Sequence, residues 1–173
     1  SNGVIDSSKS VGRGIGLIKN NNISTKVIHL VRDPRGVFFS YQKKGLKTKV
    51  LNVGSLCIYW NYVNIMGVMI KFLFSDKKVI NIKYEDLMEN TNHVVEKLSS
   101  FLDEDLSDIK FKLLGGLSAA KGHLSTGNRI RNNENPIMFK PDYEWKKKLK
   151  SRKKFAITLF CFPLMLFFGY LRK

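Results

Sequence analysis

Carboxylates are scarce in this 173-residue chain: 14 Asp and Glu stand against 30 Lys and Arg, a formal charge of +16 with a pI near 9.9. Cysteine is scarcer. Cys57 and Cys161 each sit inside an apolar run with no metal-ligand spacing around them. A disulfide scaffold is thereby excluded, and two buried inert thiols are expected. No apolar leader opens the sequence, since residues 1–10 are mostly polar and Ser-rich, so no signal peptide is expected. Internal repeats and low-complexity linkers are also lacking. What is present is a globular composition, 43% hydrophobic and 12% aromatic. A chain of this size buries roughly two thirds of its unfolded surface. Intrinsic disorder and a collagen-like fibre are excluded, and a single domain spanning 1–173 is expected. The basic surplus favours anionic partners: nucleic acid, a membrane surface, a phosphate-bearing cofactor or an acidic polysaccharide. Part of it is compositional, because 23 of the 30 basic residues are Lys in an Asn- and Ile-rich chain, the mix that an AT-rich coding bias leaves.

Two apolar stretches resemble membrane spans. Val50 to Ile70 has no charged residue, but Asn52, Asn61 and Asn64 would be costly facing lipid. Leu56, Tyr59, Val63, Met66 and Ile70 recur at helical spacing and predict a buried amphipathic helix. Phe155 to Leu171 is near the lower length limit for a span, carries Pro163 in its middle and has basic flanks. A weak membrane-surface contact through 146–171 is the membrane expectation that survives.

Along the chain, Gly3 to Asp6 reads as a short strand ending in a Ser-rich loop, followed by a helix from Val11 to about Asn20. Lys26 to Val31 is a nearly continuous apolar run, as in strands buried on both faces of a parallel sheet. It stops at Arg32-Asp33-Pro34-Arg35, where Pro34 suits a first helical turn and Asp33 an N-cap, with the helix running to about Lys44. Lys78 to Ile82 predicts another strand. A helix from about Asn92 to Leu102 follows, with Val94, Val95, Leu98 and Leu102 on one face. The chain then reads as irregular to Pro141 and helical from Tyr143. Alternating strands and helices argue for an α/β domain with a central parallel sheet.

The chemistry concentrates at Val27-Ile28-His29-Leu30-Val31-Arg32-Asp33-Pro34-Arg35-Gly36-Val37-Phe38-Phe39-Ser40. A strand ends, an Arg emerges where open α/β sheets bind ligands, and a helix N-terminus begins. Ser40 lies two turns into that helix. An Arg fork with a hydroxyl makes a phosphate clamp; the alternative is a structural ion pair of Arg32 with Asp33 or Asp86. His29, inside the strand, is expected to be a core residue rather than a base. No helix-turn-helix, zinc or RNP-like motif supports nucleic acid as the partner.

This segment resembles the 3′-phosphate-binding motif of the PAPS-dependent sulfotransferases (PAPS is 3′-phosphoadenosine 5′-phosphosulfate). Arg32 and Ser40 match that motif in type and spacing. Further segments are similar in order. Val4-Ile5-Asp6-Ser7-Ser8-Lys9-Ser10 resembles a D-S-S-K-S stretch of one carbohydrate-type branch. Trp60-Asn61, Lys83-Tyr84-Glu85-Asp86-Leu87, His123 to Arg131, Trp145 and Phe168-Gly169-Tyr170 fit as well. The resemblance implies a P-loop-NTPase-like three-layer α/β/α fold. It implies sulfuryl transfer from PAPS, without a metal, to a hydroxyl or amine of a carbohydrate or small acceptor. Arg32 and Ser40 would hold the 3′-phosphate, and Gly127, Asn128 and Arg131 would match a loop closing over the nucleotide. Lys9 would stabilise the leaving group, with Asp6 either the general base or a cap of its turn. Tyr84, Glu85 and Asp86 would be structural, holding the sheet edge and ordering Arg32, and Trp145 the apolar anchor of a basic helix.

One family element has no counterpart: the R-S-G-T-T-like loop that grips the 5′-phosphosulfate. Gly12-Arg13-Gly14-Ile15-Gly16 lacks the Lys-Ser/Thr ending of a phosphate cradle. The chain is therefore expected to be N-terminally truncated, the C-terminal two thirds of the family fold. A catalytically incomplete nucleotide- or polyanion-binding module is the alternative. The expected compartment is the bacterial cytoplasm, or the Golgi lumen for a eukaryotic source.

Overall fold

The structure, a computed structural model, describes residues 4–7, 11–20, 22–43, 52–114 and 142–171, with the backbone alone for 112–114. In chain order the elements are α1 (Val11–Lys19), β1 (Val27–Val31), α2 (Pro34–Lys43), α3 (Val53–Phe74), β2 (Val79–Lys83), α4 (Tyr84–Glu89), α5 (Thr91–Leu102), α6 (Ser107–Leu114), α7 (Glu144–Lys148) and α8 (Ser151–Phe167).

β1 and β2 pair in parallel with Val27 opposite Val79 and Val31 opposite Lys83. Side chains alternate across a strand, so the sheet has two distinct faces. On one, Val27 and Val79 pack with Ile18 of α1 and Ile70 of α3. On the other, Ile80 and Ile82 pack with Val94, Leu98 and Phe101 of α5. Helices thus flank both faces of a parallel sheet that holds two strands among the described residues. Burial on both faces is realised for β2 but not for β1. Ile28 and Leu30 share the α5 face by register, yet stay 45% and 52% exposed, because α5 covers the β2 side.

The largest apolar cluster lies where β1 ends. Val31, Phe38, Trp60, Trp145, Ile157 and Met165 come from five elements and are all nearly solvent-free. Burying each such large side chain contributes about 1.5–3 kcal/mol. α3 is tied into this cluster by polar bonds as well. Trp60 Nε1 donates to the Arg32 carbonyl at 3.0 Å, and Asn61 Nδ2 donates to the Phe160 carbonyl of α8 at 2.9 Å. The thiols of Cys57 and Cys161 are buried and reduced. Their mutual hydrogen bond and burial push Cys161 well above the usual thiol range.

Three further sequence expectations are corrected. Residues 4–7 form no strand, and Val4 and Ile5 are 95% exposed; among the described residues no strand takes up their backbone. α3 turns Leu56, Cys57, Trp60, Asn64, Gly67 and Ile70 inward, leaving Tyr59 53% exposed. The helix is apolar nearly all round, so periodicity did not single out a face. His29 did: a Cβ at Gly67 would lie 2.3 Å from its ring, so only glycine lets α3 approach β1 there. The stretch read as irregular contains α6, started by Asp105 Oδ1 accepting from Ser107 N at 2.9 Å. Pro163 does not end α8. The ring removes one N–H, and the Leu159 carbonyl it would have served lies on the exposed side of the helix.

Candidate functional site at the strand ends

Parallel pairing brings the C-terminal ends of β1 and β2 to one edge, where loops leave both strands. Asp33 caps α2 as its sequence position predicted, its Oδ1 accepting from Arg35 N at 2.8 Å. The same carboxylate takes the Arg35 guanidinium in a two-pronged contact, Nε at 2.9 Å and Nη2 at 2.6 Å. Asp33 is only 4% exposed, and a buried carboxylate is tolerable only with such a partner. Arg35 also stacks on Trp145, 4.7 Å from the ring centre, and donates to the Tyr170 carbonyl at 3.2 Å.

Glu85, on α4, ties the two strand ends together. Its Oε1 accepts from Asp33 N at 3.1 Å and its Oε2 from the Tyr170 hydroxyl at 2.9 Å. Burial first, then the Glu85 charge, raise the Tyr170 hydroxyl far above its ordinary value, so it stays a donor. Burial and the hydrogen bond to Glu89 raise Tyr143 likewise.

Arg32 is held differently. Its guanidinium lies over the Tyr84 ring at 4.4 Å, a consequence of the register that sets Val31 opposite Lys83. One amine reaches Asp142 at 3.5 Å, and the side chain is 21% exposed. The same Asp142 carboxylate faces Lys43 at 3.6 Å, and Lys43 pairs with Glu144 at 3.1 Å. Gly36 makes room for this: a Cβ there would lie 3.3 Å from Arg32 Nε and 3.2 Å from Trp145. Ser40 is one helical turn beyond Gly36 on the same face of α2, half-buried. Arg32 and Lys43 therefore share one carboxylate, and Ser40 lies one turn before Lys43 on α2. Beside them a cavity of about 380 Å³ is lined by Arg35, Lys83, Glu85, Tyr143, Lys146 and Lys154; Arg32 and Ser40 are not in its wall.

Of the residues expected at a site, Arg32 and Ser40 lie at this junction. Tyr84, Glu85 and Trp145 take the ordering and anchoring places expected of them. The ion pair of Arg32 is with Asp142 rather than Asp33 or Asp86, because Arg35 claims Asp33. Asp6 pairs with Arg13 of α1 at 2.6 Å. Gly12, Gly14 and Gly16 are helical with open space around them, and so form no cradle. Lys9, Gly127, Asn128, Arg131 and His123 lie outside the described residues. His29 is a strand residue bonded to Asn81 at 3.2 Å, its Nε2 buried without a partner among the described residues. Sequence reasoning missed Arg35, Lys43 and Asp142. Asp142 and Glu144 are the sole carboxylates after Glu134, which is the signal that would have found them.

The model of the Sulfotransferase domain matches residues 17–121, a span that includes both strands, Arg32, Ser40 and Glu85. No curated protein and no solved structure gives a match. Since that span takes in well over half of the sequence and the whole of the β1–α2 and β2–α4 junction, the chain belongs to the sulfotransferase domain family, whose fold is P-loop-like α/β.

Proposed function

We propose that the chain transfers a sulfuryl group from PAPS to a hydroxyl or amine of a carbohydrate or another small acceptor. The observation that carries this reading is Arg32, oriented by Tyr84 at the strand ends and set on the α2 face that bears Ser40. A guanidinium restrained by an aromatic ring loses little freedom on gripping a phosphate. PAPS, when bound, supplies the sulfuryl group. Arg32 and Ser40 would hold its 3′-phosphate, with Lys43 close enough to add charge. Gly127, Asn128 and Arg131 would close over the nucleotide and Lys9 would neutralise the leaving phosphate. For Asp6 to accept the acceptor's proton, its carboxylate must exchange Arg13 for the acceptor.

A calorimetric titration with adenosine 3′,5′-bisphosphate tests this. Saturable binding is expected, abolished in Arg32→Ala and tightened in Asp142→Asn. The latter frees Arg32 and Lys43 of a competing carboxylate worth about 1 kcal/mol, roughly fivefold in Kd. No binding, or binding indifferent to Arg32→Ala, would sink the reading. A second reading is a catalytically incomplete nucleotide- or polyanion-binding module. What favours it is that Asp142 and Asp33 already satisfy the junction's arginines. A salt-sensitive affinity for any polyanion, without nucleotide preference, would select it.

A further inference from the structure

α3 and α8 pack side by side, with Cys57 and Trp60 of one helix and Ile157 and Cys161 of the other buried in the same cluster. Each helix also carries an apolar row on its outer side. On α3, Ile58, Tyr62, Ile65, Met69 and Phe72 follow at alternating steps of four and three residues, 47% to 89% exposed. On α8, Phe155, Leu159, Phe162 and Leu166 follow the same rhythm, 49% to 71% exposed. That spacing keeps a row on one side of a helix. Rows about 21 Å and 17 Å long, from 1.5 Å per residue, are ordered stripes rather than the scattered exposure normal for a water-facing surface.

The charge around the patch says what would cover it. Neither α3 nor α8 contains an Asp or Glu, and none occurs between Trp145 and Lys173. Lys146, Lys147, Lys148, Lys150, Lys153 and Lys154 cluster at the N-terminal end of α8. Arg152 is exposed one turn before Phe155 on the same row. A second copy of this chain would bring two such basic runs together with no carboxylate on either helix to pair them. An anionic bilayer offers the complement. Basic residues near its surface contribute about 1 kcal/mol each, and aromatic and aliphatic side chains insert into the headgroup–acyl boundary.

We propose that the outer face of the α3–α8 pair docks flat on an anionic lipid surface. α3 is long and apolar enough to cross a membrane by length and composition. Its inner side, however, holds Trp60 on the Arg32 carbonyl and Gly67 on the His29 ring. It therefore lies on the bilayer rather than through it. The face extends the contact expected from residues 146–171 by a second helix, and it does not depend on the sulfuryl-transfer reading.

Co-sedimentation of the full chain with vesicles tests the proposal. Binding is expected to phosphatidylcholine vesicles that contain phosphatidylserine, and not to phosphatidylcholine alone. Phe155→Ser combined with Phe162→Ser and Ile65→Ser alters only exposed positions, so circular dichroism should be unchanged. Vesicle partitioning should fall about tenfold or more, since each buried CH₂ lost removes about 0.8 kcal/mol. Three results would overturn the proposal. One is failure to bind the mixed vesicles. Another is undiminished binding by the triple variant, which assigns the contact to charge alone. The third is a concentration-dependent dimer that the same variant dissolves, which assigns the face to a second copy.

Discussion

The strand-end junction and the outer face of α3 and α8 are built on opposite rules, although Trp60 links them through one helix. At the junction, polar groups go inside and each is answered. Asp33 meets Arg35, Glu85 meets both Tyr170 and the Asp33 amide, and Arg32 is held between Tyr84 and Asp142. On the outer face, large apolar groups stay outside and none of the described residues covers them. The first arrangement fixes direction: it determines where a guanidinium points. The second has area without direction, which suits adhesion to a fluid surface. Hydrophobicity of the sequence alone would have sorted these residues the other way.

That contrast can be broken or sharpened experimentally. Trp60→Ala should have the largest effect, about 3–5 kcal/mol of lost stability in chemical denaturation, because it empties the shared cluster and strips the Arg32 carbonyl of its donor. A loss under about 1 kcal/mol would mean that the two regions are not joined through α3. Glu85→Ala leaves the Asp33 amide unpaired, while the Tyr170 hydroxyl keeps the Val31 carbonyl at 3.2 Å. For one orphaned group a loss of about 1–3 kcal/mol is expected. Glu85→Gln, which still accepts, should recover part of it.

The pH profile probes the inner side of α3. Burial lowers the pKa of His29 below 6.5, only partly offset by hydrogen bonds to Asn81 and Asn64. The folded protein therefore holds His29 neutral where the unfolded chain would bind a proton. Stability should be full above pH 6.5 and fall as pH drops through that value toward the lower folded-state pKa. His29→Gln should flatten that limb of the denaturation midpoint plotted against pH; an unchanged limb would place its origin elsewhere. The smallest effect belongs to the outer face. Phe72, 89% exposed, should tolerate Ser within about 0.5 kcal/mol, and a larger loss would show that this row is covered in solution by protein rather than by lipid.

Much of the site was legible in the sequence where the cause is local. The apolar run from Lys26 to Val31 met its breaker at Pro34. Asp33 sat where an N-cap must, and the observed bond to Arg35 N is the one that capping requires. Arg32 and Arg35 looked alike in that same stretch. Both flank a helix start, and nothing within ten residues says which will be spent on Asp33. The answer came from far along the chain, since Trp145 and the Tyr170 carbonyl hold Arg35, while Tyr84 and Asp142 hold Arg32. The face of α3 was illegible for the same reason. Its periodicity offered Tyr59 as an inward residue, but Trp60, Asn64 and Gly67 turned inward to meet β1 and Arg32.

By itself the sequence determined the two strands, the capped helix that follows the first and the strand-end position of Arg32, since each rests on contacts or patterns within a few residues. Only the tertiary structure decided which arginine is neutralised and which is presented, which side of α3 is core, and that α3 and α8 share an apolar face. Those outcomes depend on groups separated by tens of residues in sequence and a few ångströms in space, where packing and charge pairing, not propensity, carry the larger free energy.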